Sequence, residues 1–299
     1  MCGIVGLYLK NPALEPSLGR HLSAMLASLG DRGPDSAGFA IYRDPVPEGA
    51  VKLTLFHSDE DYDWAELTRA MAASLGVEIK GTPRASHFVL IAATATETAR
   101  RWIALHRPDV RIMGIGQTIE LYKEKGLPAE VVRRFKLDGF SGSHALGHTR
   151  MATESAVTTQ HSHPFSTGLD LCLVHNGSLS NHNRLRQWLN RRGVEFQTDN
   201  DTEVAAGYFT YRLSQGASLA EALEAGLVDL DGFYTFAIGT RDGFAVLRDS
   251  IACKPAVLAE TDDWVAMASE YRAIAHLPGA DSAAIWEPAP ATVYSWTKH

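Results

Sequence analysis

Cysteine is scarce in this chain. Three residues in 299, an odd and small number, fit a reducing compartment better than a disulfide framework. Positive charge is also limited, with 28 lysines and arginines against 35 acidic residues and a net charge of −7. No basic run or arginine–aromatic interleaving is present, which argues against nucleic acid or an anionic membrane as the main partner. No apolar window approaches the length of a membrane span. The N-terminus has no charged segment leading into an apolar stretch, so a cytoplasmic location is expected. Neither a Gly-x-Gly-x-x-Gly turn nor a phosphate-binding loop occurs, and this argues against a nucleotide or flavin held by this chain. At 45% hydrophobic and 21% charged residues, the composition is that of a globular protein with room for one large domain or two ordinary ones.

The second residue is the most informative one present. The chain opens Met1-Cys2-Gly3-Ile4-Val5-Gly6. Removal of Met1 would leave a residue carrying both a thiol and a free α-amine. The thiolate is the nucleophile, and an α-amine with an ordinary pKa of about 7.7 to 8.0 takes up a proton near neutrality. The competing reading is a packed cysteine that merely starts an apolar strand. Cys172 and Cys253, both in apolar strand-like runs, read as buried structural thiols.

Hydrophobic patterning predicts a strand over 2–9, a helix over 18–29 and a strand over 36–42. From about 44 to 142 the rhythm changes. Strands are expected at 51–57, 87–93 and 110–115, with helices at 64–75, 97–106, 118–125 and 129–135. This βαβ-like alternation suggests an inserted subdomain. Apolar stripes on its helices (Trp64, Leu67, Met71 and Leu75; Ile119, Leu121 and Tyr122) would either pack the insert onto the core or dock a partner. Strands at 145–148 and 171–175, helices at 181–192 and 202–214, and a tail of short strands over 233–299 complete the pattern.

Four short motifs gain meaning when taken together with Cys2. Gly147-His148-Thr149-Arg150-Met151-Ala152-Thr153 ends a strand. Val174-His175-Asn176-Gly177 ends another, Asp199-Asn200-Asp201-Thr202-Glu203 opens a helix, and Arg32-Gly33-Pro34-Asp35-Ser36-Ala37-Gly38 forms a turn. Singly, each has a plain explanation: a surface ion pair at Arg150, a hairpin turn at Asn176-Gly177, an acidic helix cap at Asp201. Jointly they supply what hydrolysis of an amino-acid amide requires. Arg150 offers a planar fork for an α-carboxylate, and Asp201 a charge for an α-ammonium. The Asn176 amide and the Gly177 backbone N–H offer two donors to an oxyanion, and Cys2 brings nucleophile and base together.

This order of motifs resembles the class II, N-terminal-cysteine glutamine amidotransferases over about 1–44 and 143–278. Arg248-Asp249-Ser250-Ile251-Ala252-Cys253-Lys254-Pro255 and Ala268-Ser269-Glu270 resemble the closing strands and final helix of that family. The resemblance implies an α+β fold, the Ntn-hydrolase αββα four-layer sandwich. The whole of 1–299 would be one amidotransferase domain with an α/β subdomain inserted at about 44–142. It implies the roles given above, with Thr153 beside the substrate carboxylate. It further implies hydrolysis of glutamine to glutamate and ammonia through a thioester on Cys2. The sequence departs from better-known members at Glu154, where some relatives carry histidine, and in the length of the insert. The longer insert is similar to stand-alone proteins related to glutamate synthase, such as the amidotransferase component of N-methylglutamate synthase and the GlxB-type proteins.

No cofactor is expected in this chain; partner synthase subunits of a glutamate-synthase-like complex would hold any flavin and iron–sulfur centres. No metal site is expected either. His161-Ser162-His163 lacks a cysteine or carboxylate at a completing spacing, and His148 and His175 read as holding the motif loops. Two alternatives stay open: a free-standing glutaminase or γ-glutamyl amide hydrolase, and an inert glutamine-binding scaffold.

Overall fold

The computed structural model describes residues 2–152 and 157–297. In chain order the elements are β1 (Gly3–Leu9), α1 (Leu18–Ser28), β2 (Ser36–Tyr42), β3 (Val51–Phe56), α2 (Trp64–Leu75), β4 (Ile79–Arg84), β5 (His87–Ala92), α3 (Thr96–His106) and β6 (Arg111–Gly116). There follow β7 (Ile119–Lys125), α4 (Pro128–Phe135), β8 (His144–Arg150), β9 (Cys172–Leu179), α5 (His182–Asn190), α6 (Asp201–Ser214) and α7 (Leu219–Asp229). The chain closes with β10 (Gly232–Thr240), β11 (Gly243–Arg248), β12 (Val257–Glu260), β13 (Trp264–Ala268), β14 (Ala284–Trp286) and β15 (Thr292–Thr297).

Two sheets form the centre: seven strands in the order β14-β12-β13-β1-β8-β2-β7 and four in the order β15-β11-β10-β9. Side-chain alternation along the strands builds the layers. On β1, Ile4 and Tyr8 face the second sheet, in a buried cluster with Val174, Phe244 and Met267. The intervening Val5, Leu7 and Leu9 face the other way, packing with Leu18, Leu22, Met25 and Leu26 of α1 and Val131 and Phe135 of α4. The second sheet turns Leu173, Phe236 and Leu247 outward onto Leu185, Leu189, Val204 and Leu223 of α5, α6 and α7. The result is helix, sheet, sheet, helix: the αββα sandwich.

A third sheet, β4-β5-β3-β6, has every neighbouring pair antiparallel. With α2 and α3 in their chain positions this is a split βαββαβ unit rather than a run of parallel βαβ crossovers. Trp64, Leu67 and Met71 of α2 are buried inside this unit's own core, with Leu53, Phe88 and Trp102.

The segment expected as a helix over 118–125 is strand β7, which pairs with β2 from Ser36↔Lys125 to Tyr42↔Ile119. Its charged residues before the terminal Lys125 are buried: Lys52 of β3 pairs with Glu120 at 3.2 Å, and Lys123 donates to the Gln160 and Pro164 carbonyls. Burial also pushes the Lys123 ammonium down to about 7. A strand of alternating charges fits the interior only because each charge meets a partner from another element. After β7, α4 packs in the central core, so the separate sheet spans β3 to β6 alone. The edge strand β4 and helix α7 add to the expected elements, and the expected final helix is a single 3₁₀ turn at Tyr271–Ala273. Cys172 is buried, but Cys253 is exposed, because it sits on the loop after β11 rather than in a strand.

Candidate active site

Strand alternation and register bring the site residues to one end of the gap between the two central sheets. Gly3 of β1 lies opposite Thr149 of β8, so Cys2 emerges beside Arg150. Even-numbered residues of β8 and β9 share the inter-sheet face with Leu146, Cys172 and Val174, which places His148, Arg150 and Asn176 there as well. His175, on the opposite face of β9, meets α6 instead.

A cleft of about 510 Å³ opens at this end, lined by Cys2, Arg150, Asn176, Gly177, Asp201 and Lys254, among others. Five of the residues expected from sequence therefore meet; Thr153, the sixth, lies outside the described residues, as does Met1. Arg150 is 5% exposed, so the surface ion-pair reading fails. Asn176-Gly177 is not a hairpin turn but lies within β9, paired opposite Thr235 and Tyr234 of β10.

Gly177 has φ of +147°, and a Cβ there would come within 2.7 Å of Tyr234 Cα and 2.8 Å of His175 Nε2. Only glycine fits both the conformation and the space. The neighbouring Asn176 side chain is 3% exposed, and its Nδ2 donor has no hydrogen-bond partner among the described residues. A buried amide N–H without an acceptor is costly, and its position suits an incoming oxygen.

Cys2 is held from its carbonyl side. Arg32 Nε donates to Cys2 O at 3.0 Å while Nη1 pairs with Glu270, and Cys2 Sγ lies 3.8 Å from Met151 O. Asp35 of the same turn accepts from Ala152 N at 2.7 Å, tying the Arg32–Asp35 loop to the segment after Arg150. The turn needs Gly33, because a Cβ there would enter the Thr149–Arg150 backbone.

The acidic motif divides its labour. Asn200 caps α6, accepting from Thr202 N at 2.8 Å. Glu203 reaches back to accept from Gln197 N, Thr198 N and Thr198 Oγ1 at 2.7–2.8 Å, closing the loop that carries Asp199 to Asp201. Asp201 accepts from Leu179 N at 3.0 Å and its other oxygen lies 3.8 Å from His175 Nδ1.

Three buried histidines fill the floor. His148 Nε2 donates to the His175 carbonyl at 3.1 Å, His148 and His163 stack with centroids 4.0 Å apart, and His175 Nδ1 meets Thr202 Oγ1 at 3.0 Å. Burial holds all three below the ordinary histidine value, His148 at about 3. They are neutral packing and hydrogen-bonding groups at physiological pH. Among the described residues no group of three or more His, Cys, Asp or Glu is placed to hold a metal ion. No helix among them is long and apolar enough to cross a membrane.

Residues 148–276 match the glutamine amidotransferase domain family. The chain is 57% identical over 99% of its length to a glutamine amidotransferase-like protein, GlxB, of Rhizobium meliloti, covering 98% of that protein. The chain belongs to the class II glutamine amidotransferase family. This amidotransferase is also 34% identical over 90% of its length to a putative glutamine amidotransferase of Methanothermobacter thermautotrophicus, covering 92% of it. In fold it is similar to the allosteric regulatory enzyme of purine biosynthesis, with a TM-score of 0.65 at 21% identity. A second match is the glutamine phosphoribosylpyrophosphate amidotransferase of B. subtilis, with a TM-score of 0.61 at 21% identity. The amidotransferase covers 99% of itself in both matches but spans only about half of those two solved chains, 47% and 49%.

Arg32, Glu203 and Lys254 fall within the sequence motifs, yet nothing in the sequence assigns them a role at the site. Glu203 closes its own loop, whereas the other two reach across the fold, Arg32 to a carbonyl 30 residues away and the Lys254 carbonyl to a register position on β10.

Proposed function

We propose that this amidotransferase hydrolyses glutamine through Cys2, once removal of Met1 frees the α-amine. Arg150 takes the α-carboxylate, with Thr153 beside it, and Asp201 takes the α-ammonium. The Cys2 α-amine accepts the thiol proton as Sγ attacks the side-chain amide carbon, and the oxyanion forms between Asn176 Nδ2 and the Gly177 N–H. The C–N bond breaks, the proton passes to the leaving nitrogen, and ammonia departs from a γ-glutamyl thioester. Water then attacks the thioester, releasing glutamate and restoring the thiol.

The observation that carries this reading is the unpartnered, buried Asn176 Nδ2 beside the left-handed Gly177, in the same cleft as Cys2. We infer further that the whole chain works as one amidotransferase domain, with the antiparallel insert as its appendage. The scarcity of cysteine supports a reducing, cytoplasmic setting. No cofactor is assigned to this chain. Ammonia as a product calls for an acceptor, and a synthase subunit of a glutamate-synthase-like or N-methylglutamate-synthase-like complex, bearing any flavin and iron–sulfur centres, fills that place.

The purified chain incubated with glutamine should release glutamate and ammonia in equal amounts, and Cys2→Ala should release neither. Turnover that rises on adding partner subunits supports the synthase context. Full turnover alone supports a free-standing hydrolase, and failure to turn over or to react with an electrophilic glutamine analogue supports an inert scaffold.

A further inference from the structure

We propose that Lys254 is a further catalytic residue, whose ammonium stabilises the negative charge that develops on the amide oxygen between Asn176 and Gly177. The inference rests on the glutamine-hydrolysing reading above and assigns one more residue to it.

Lys254 follows the β11 strand on a loop that is fixed at several points. Asp249 accepts from Ile251 N and Ala252 N at 3.0 and 3.2 Å, closing the turn. Arg248, itself 6% exposed, donates to the Ala252, Lys254 and Pro288 carbonyls at 2.6, 2.9 and 2.9 Å. Thr235, fully buried, donates to the Lys254 carbonyl at 3.4 Å, and Thr235 is the residue paired opposite Asn176. The Lys254 backbone is thus tied to the oxyanion strand through its β10 neighbour.

The side chain continues toward the same place. Nζ lies 5.0 Å from the centre of the Phe233 ring, and Phe233 pairs with Ser178, the residue after Gly177. Lys254 lines the cleft that holds Cys2, Asn176 and Gly177. Its charge is felt by His175, whose Nε2 lies behind Gly177, and it depresses that ring's pKa in addition to burial. Arg150 stands on β8, across the gap, so the two cations serve different ends of a bound amino acid.

Among the described residues Lys254 makes no ion pair with a carboxylate. A cation carried on a fixed backbone and resting on the Phe233 ring, with no carboxylate partner among the described residues and beside two neutral donors, gains most when an anion forms next to it. That is the condition for acceleration: the interaction is weak with neutral glutamine and strong with the tetrahedral oxyanion.

The test is steady-state glutamine hydrolysis by the full chain and its Lys254→Met, Lys254→Gln and Lys254→Arg variants, with thermal unfolding recorded for each. Lys254→Met and Lys254→Gln should lower kcat by about 10- to 100-fold, below the loss from a direct oxyanion donor, with KM within about 3-fold. Lys254→Arg should recover most of kcat. His175 should titrate at higher pH in the Lys254→Met protein, as read by NMR of its ring. A rise in KM with kcat preserved would make Lys254 a ground-state binding residue and overturn the proposal. Equal losses in the arginine and methionine variants, or no loss in any, would overturn it too. An active wild type alongside unaffected variants removes this inference alone, whereas an inactive wild type removes the glutamine-hydrolysing reading beneath it.

Discussion

Arg32 holds the Cys2 carbonyl through a 3.0 Å bond from Nε while its other arm pairs with Glu270. This contact fixes the backbone just ahead of β1, on the side away from the Sγ contact with the Met151 carbonyl. Replacing Arg32 with alanine should therefore misplace the nucleophile rather than the substrate. We expect kcat to fall by about tenfold or more, with KM for glutamine changed little. An unchanged kcat would show that the end is ordered by other contacts.

Asn176→Ala tests the oxyanion hole directly. Removing the Nδ2 donor should lower kcat by about 10²–10³ while KM stays within a few-fold. Thermal stability should not fall, because the deleted donor has no partner among the described residues. A change confined to KM would move Asn176 from transition-state stabilisation to substrate binding.

Gly177→Ala carries a double penalty, from φ of +147° and from contact with Tyr234 and His175. A loss of about 1–3 kcal/mol in denaturant unfolding is expected from the backbone conformation, together with loss of hydrolysis. A stable, active variant would mean that the β9 backbone adopts another course there.

The convergence of Cys2, Arg150, Asn176, Gly177 and Asp201 on one cleft was legible in the sequence, because these residues lie in short motifs at strand ends and a helix start. The supporting contacts were not. Glu203 reads as a helix-start acid like Asp201, yet the fold bends it back to close the loop at Gln197 and Thr198. Strand β7 reads as an amphipathic helix because Glu120, Lys123 and Glu124 interrupt its apolar residues. Only tertiary partners such as Lys52 and Ser86 reveal that these charges are interior. Strand β4 carries Gly81 and Pro83 and is largely exposed, so neither propensity nor burial marks it. Helix α7 did leave a signal, the reciprocal capping pair Ser218 and Glu221.

Acid sensitivity should follow from the histidines under the site. His148, His163 and His175 have folded pKa values below the ordinary one, so the folded state favours their neutral forms. The unfolded chain takes up protons near pH 6.5 while the fold does not. Stability is therefore full above that pH and falls as pH drops below it, continuing toward about 3 for His148. Each such histidine contributes a slope of about 1.4 kcal/mol per pH unit. Urea unfolding between about pH 6.5 and 4.5, above most carboxylate titrations, should show the decline, and His163→Gln should reduce its slope. A flat profile over that interval would mean that these rings are charged in the fold.

A free N-terminal Cys2 is the proposed seat of the chemistry. That role is tested most directly by treating the native chain with a diazoketone analogue of glutamine and reading the intact and peptide masses alongside residual activity. The predicted result is a single adduct on Cys2, Met1 absent from the labelled species, and loss of glutamine hydrolysis in proportion to labelling. Full activity in a chain that retains Met1, or an adduct confined to Cys172 or Cys253 with activity lost, would contradict it.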